Sequence, residues 1–220
     1  FIVSIDYYST TVSSFLDVAV NVPLFMNLPE FTGSFTSNDG AGAATPTFNH
    51  NNGKIKFSGT TSITATENTV FNNVEIGSGK TATTSSSFKV TGTSWTGNGT
   101  FTASAGTVAF NATQELTISG NNTFHDVVIT NSNATTVSGN NTFNDVTVSN
   151  TANTVFSGNN GFNDLTINKG TAELAGDNTY NNLTIVNPAT EVKFGANKTQ
   201  TVNGKLIAVN AFLSFCRLGH

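Results

Sequence analysis

One cysteine, Cys216, stands in the whole chain, so an internal disulfide framework and any cysteine-based zinc site are excluded. Its expected place is that of a small hydrophobe in a terminal strand. Charge is scarce as well: 10% of the 220 residues are charged, against about 25% in ordinary globular chains. The net charge is −4, Arg217 is the single arginine, and the lysines are scattered. No basic stripe exists to neutralise phosphates, which excludes nucleic acid as an expected partner. No apolar run reaches the roughly eighteen residues of a membrane-crossing helix, so no transmembrane span is expected.

Recognisable chemistry is missing too. The histidines are His50, His125 and His220, none with a second ligand type at metal spacing. There is no Gly-x-Ser-x-Gly elbow, no phosphate loop and no dinucleotide fingerprint. No catalytic residue and no cofactor are therefore expected, and the chain reads as a non-enzyme.

What is present is a repeat. GNNTFHDVVI, GNNTFNDVTV, GNNGFNDLTI and GDNTYNNLTI begin at Gly120, Gly139, Gly158 and Gly176. The aromatic positions Phe124, Phe143, Phe162 and Tyr180 are separated by 19, 19 and 18 residues. Behind each aromatic, β-formers alternate with period two, as in Val127-Val128-Ile129 and Leu165-Thr166-Ile167. Nineteen residues cannot hold a pair of helices with their connections, and no apolar spacing of three and four occurs. The expected fold is all-β, a parallel β-helix (β-solenoid) with roughly 19-residue coils.

One coil alone buries too little. With the next coil about 4.8 Å above it, every strand N–H finds a carbonyl and equivalent side chains form columns. The expected core stack is Phe124, Phe143, Phe162 and Tyr180 beside Val127, Val146, Leu165 and Leu183. The Gly-Asn-Asn clusters mark a corner, where asparagines can also ladder. Upstream, Phe71-Asn72-Asn73-Val74-Glu75-Ile76 repeats the strand signature of Phe162-Asn163-Asp164-Leu165-Thr166-Ile167. The expected solenoid runs over residues 48–203, preceded by a cap or strand-exchange segment (1–47) and followed by a capping strand (204–220).

Asp126, Asp145 and Asp164 recur at one place in successive units, with Asn182 in the fourth. Three stacked carboxylates are candidate calcium ligands. A general acid and base need unlike environments, and a recurring position supplies like ones, so a turn role is expected first and catalysis is not. A polysaccharide-cleaving enzyme stays as the remote alternative, with Asp145 as its test position. His125 replaces the asparagine of Asn144, Asn163 and Asn181 and is expected to be an exposed variant of it. Thr123, Thr142 and Thr179 form a partial column and Thr147, Thr166 and Thr184 a fuller one. Such flat arrays bind ice in some solenoids. Threonine is also an ordinary solvent-facing β-former, and Gly161 and Val128 interrupt the columns, so the plain reading is preferred.

Leu16, Val18, Val20 and Val22 alternate near the start, followed by Phe25; Ile207, Val209, Leu213 and Phe215 alternate near the end, on one face. A solenoid exposes strand edges and core at its ends. These residues are therefore candidates for capping, or for end-to-end assembly with a second copy. The chain opens on Phe1, not methionine, which with few charges and an amide- and hydroxyl-rich surface makes an extracellular or cell-surface location the expectation. Seven Asn-x-Ser/Thr triplets occur, but 31 asparagines among so many Ser and Thr produce about as many by chance.

The repeat units, with Trp95-Thr96-Gly97-Asn98-Gly99-Thr100-Phe101 and Gly106-Thr107-Val108-Ala109-Phe110 before them, resemble the tracts of large secreted bacterial surface proteins and filamentous-haemagglutinin-type adhesins. The resemblance spans about residues 90 to 205. It implies a right-handed parallel β-helix at the cell surface, structural or adhesive, with surface glycans as a conceivable partner beside the chain itself. Those adhesins have many more coils than this chain.

Overall fold

The structure, a computed structural model, describes residues 11–12, 16–17, 30–37, 52–186, 190–209 and 212–215. It is all-β among those residues, and every strand pairing is parallel. The pairings fall into three series, so each coil is a triangle of three short strands. Face A contains Lys54–Phe57, Asn73–Ile76, Thr135–Val137, Asn153–Phe156, Thr171–Leu174 and Glu191–Phe194. Face B contains Thr60–Thr64 and Thr81–Thr84, and face C contains Phe88–Val90 and Thr107–Phe110. The longer strands Ser94–Ala103, Leu116–Ile129, Thr142–Val148, Gly161–Ile167 and Asn178–Ile185 bend around a corner and serve two faces or three. About eight coils stack between Lys54 and Ala208.

The columns form as the repeat requires. Phe124 pairs with Phe143, Phe143 with Phe162 and Phe162 with Tyr180, each in register. Their rings stack at 5.6, 5.1 and 5.1 Å with interplanar angles of 5°, 10° and 7°. Val127, Val146, Leu165 and Leu183 stack beside them, and all eight side chains are buried. Ile55, Val74, Trp95, Ile118 and Val137 make the inner column of face A. Burial of this apolar surface, at roughly 25 cal/mol per Å², is the main stabilising term.

Polar groups are buried too, at the corner between faces A and B. Asn122, Asn141, Asn160 and Asn178 point inward, each nearly without exposure. Each Nδ2 donates to the side-chain oxygen one coil up: Asn122 to Asn141 at 2.9 Å, Asn141 to Asn160 at 3.1 Å, Asn160 to Asn178 at 3.2 Å, Asn178 to Gln200 Oε1 at 3.1 Å. Below Asn122 the column holds Phe101, which has no amide, and Trp95 Nε1 donates to Asn122 Oδ1 instead, at 3.0 Å. Tyr180 donates its hydroxyl to Gln200 Oε1 at the upper end. A polar ladder satisfied at both ends can lie inside an apolar core. Glycine makes the corner possible: a Cβ on Gly139 would drive into the Gly120 carbonyl, and both residues have positive φ, +89° and +102°.

Two expectations are corrected. Phe71-Asn72-Asn73-Val74 is not equivalent to Phe162-Asn163-Asp164-Leu165, because Phe71 pairs with Val90 on face C while Val74 pairs with Trp95 on face A. Phe162 lies on face B and Leu165 on face C. The same aromatic-polar-polar-aliphatic signature thus turns two different corners, since both require one inward aromatic, two turn residues and one inward aliphatic. The C-terminal alternation also breaks. Ile207 pairs with Thr184 on face C, whereas Leu213 pairs with Val192 and Phe215 with Phe194 on face A. The chain turns a corner between them, so they do not share a face.

Parallel pairing continues beyond residues 48 and 203: Thr11–Val12 pairs with Glu30–Phe31, Leu16–Asp17 with Phe35–Thr36, and Phe212–Phe215 with Glu191–Phe194. Leu16 is therefore in a strand; Val18, Val20, Val22 and Phe25 lie outside the described residues.

Candidate functional site

The aspartate column at the corner between faces B and C is real. Asp126, Asp145 and Asp164 are in register, with Asn182 above them. Each Oδ1 accepts a hydrogen bond from the coil above: Asp126 from Asn144 Nδ2 at 3.0 Å, Asp145 from Asn163 at 3.2 Å, Asp164 from Asn182 at 2.7 Å. Asn182 Oδ1 in turn accepts from Lys205 N–H. These acids tie coil to coil in a repeated geometry. Among the described residues, no group of three His, Cys, Asp or Glu side chains is placed to hold a metal ion. His125 is half-exposed, with Nδ1 3.0 Å from Asp126 Oδ1.

Charges are distributed unevenly over the three faces. Face A carries the ion pairs Lys54–Glu75 at 2.9 Å and Lys56–Glu30 at 3.1 Å on its outer side. The Lys56 ammonium, hydrogen-bonded to it, holds the Glu30 carboxyl below the usual range. At the corner between faces A and B, the Thr199 backbone N–H donating to Asp177 holds that carboxyl low, with Lys198 adding to the effect. No helix long and apolar enough to cross a membrane occurs among the described residues.

No family model, curated protein or solved structure matches this chain. Its own geometry must therefore carry any functional argument.

Face B differs from its neighbours. The outward positions of its strands between Thr60 and Thr201 carry no charged side chain. The sequence columns Thr123, Thr142 and Thr179 turn out to be the middle of a longer row. Thr102, Thr83 and Ser62 continue it downward and Thr201 upward, broken only at Gly161. Beside it, two residues away along each strand, run Thr60, Thr81 and Thr100. The extension is hidden in the sequence because Thr102 and Thr123 are 21 residues apart, outside the 19-residue period. On face C the row Thr147, Thr166, Thr184 is flanked by Val128 below and Ile207 above.

The upper end of the solenoid is the other unusual surface. Among the described residues, the large apolar side chains that stand exposed are Leu206 (55%), Val209 (49%), Ile207 (42%) and Val186 (41%). Leu206, Ile207 and Val209 lie on or just after the last described strand of face C, and Val186 follows Ile185 one coil below. Leu206 continues the Val127–Val146–Leu165–Leu183 column in register, yet it is open where its predecessors are buried.

Proposed function

We propose that this chain is a non-enzymatic structural protein of the cell surface or extracellular space, whose copies join end to end. The observation that supports it is Leu206. Its column would accept another coil about 4.8 Å further along the axis, and among the described residues none covers it. A coil of a second copy would cover Leu206 and pair with the edge of Leu206–Ala208 that no described strand occupies. Joining one end of a copy to the other end of the next is a heterologous contact that propagates into a filament.

A glycan-binding adhesin needs exposed aromatic rings as stacking platforms. Trp95, Tyr180 and the phenylalanines from Phe31 to Phe162 that are described lie buried, which counts against that reading. The aspartate column, spent on coil-to-coil hydrogen bonds in like environments, counts against catalysis. The test is size against concentration. Light scattering and negative-stain microscopy of the purified chain are expected to show linear assemblies, and Leu206→Asp, at an exposed position, is expected to leave folded single particles. A wild-type chain that stays monomeric at millimolar concentration would overturn the proposal.

A further inference from the structure

We propose that the outer surface of face B is an ice-binding surface. Its side chains form a net: about 4.8 Å from coil to coil along the Ser62–Thr201 row, and roughly 6.7 Å between that row and the one beside it, which is Thr60, Thr81 and Thr100 in the lower coils and Asn121, Asn140, Asn159 and Asp177 above them. Each threonine offers one hydroxyl that donates and accepts, and one methyl that does neither. Water bridging hydroxyls held on such a net is confined to positions commensurate with a layer of hexagonal ice, while the methyls do not compete for its hydrogen bonds.

The net must be flat, rigid and uncharged to do this. Neighbouring strands ordinarily rotate by roughly 20–25°, and long flat sheets need stacking or side-chain ladders to hold them. Here the face B rings Phe124, Phe143, Phe162 and Tyr180, directly behind the threonine row, lie within 10° of parallel from coil to coil. The buried amide ladder runs behind the same strands and fixes their spacing. A charged side chain would orient water around itself; the Ser62–Thr201 row has none, the Asp177–Lys198 pair stands beside its upper end at the corner with face A, and face A carries two ion pairs outside. A protein partner would be expected to meet aromatic or arginine anchors, and a glycan to meet a ring; this face offers neither.

Gly161 sharpens the test. It is the one gap in the row, its φ is not positive, and a Cβ there would meet nothing within 4 Å. Thermal hysteresis, and partition of the purified chain into slowly growing ice, are measured at millimolar concentration, with circular dichroism confirming the fold of each variant. Wild type is expected to shape and retard ice. Thr142→Lys and Thr102→Lys are expected to lose this, Thr166→Lys on face C to retain it, and Gly161→Thr to exceed wild type. The proposal is independent of end-to-end assembly, since one copy presents the whole net. It is overturned if wild type is excluded from ice, if Thr142→Lys retains full activity, or if Thr166→Lys loses as much.

Discussion

Asn140 and Asn141 are adjacent and chemically identical, yet the structure gives them very different energies. Asn141 is buried; its Oδ1 accepts from both the Asn122 backbone N–H (3.0 Å) and Asn122 Nδ2 (2.9 Å). Asn141→Ala leaves that N–H with no acceptor inside the core, which costs roughly 1–3 kcal/mol. Asn122 Nδ2 keeps the Ser119 and Gly120 carbonyls, so it is weakened and not orphaned. The bond to Asn160 Oδ1 is lost as well, about 1 kcal/mol more. The expected total is about 2–4 kcal/mol. Asn140 is exposed, and its Oδ1 accepts only from the Asn159 N–H, where water can substitute; Asn140→Ala should stay within about 0.5 kcal/mol. Urea unfolding followed by circular dichroism and by the fluorescence of Trp95, the single tryptophan, measures both. Trp95 is itself hydrogen-bonded to the ladder, so it reports the strand pair at issue. Asn141→Asp adds a pH signature. Burial among carbonyl oxygens raises that carboxyl's pKa in the folded state, so the native chain holds a proton the unfolded one has released, and stability falls as pH rises above the ordinary aspartate range. Equal losses for Asn140→Ala and Asn141→Ala would refute the claim that buried amide bonds hold the coils in register.

Two further outcomes follow from the same geometry. Gly139→Ala should lose roughly 1–2 kcal/mol from its left-handed backbone alone, and more from the collision with the Gly120 carbonyl, while Gly161→Ala should change the urea midpoint little. The Asp177 carboxyl is held low chiefly by the Thr199 N–H, so its contribution is present above the ordinary aspartate pKa and is lost as pH falls through the lowered one. Amide hydrogen exchange at Thr199–Val202 should accelerate in acid after allowance for the intrinsic rate, and Asp177→Asn should remove that pH dependence.

The sequence alone determined the solenoid between Gly120 and Ile185, because a strict period with no insertions leaves equivalent residues nowhere to lie but over one another. It also determined the core stack and the Gly-Asn-Asn corner, whose residue types answer local backbone demands. Which face each residue joins was decided only by tertiary pairing. Phe71 and Phe162 carry the same local signature at different corners, and Thr102 reaches Thr123 only because the coil between them is longer than the period. Local sequence specifies a turn and an alternation. It does not number the corners, since a triangular coil accepts the same aromatic-to-aliphatic step at any of them, and only the hydrogen bonds to the coil below choose one.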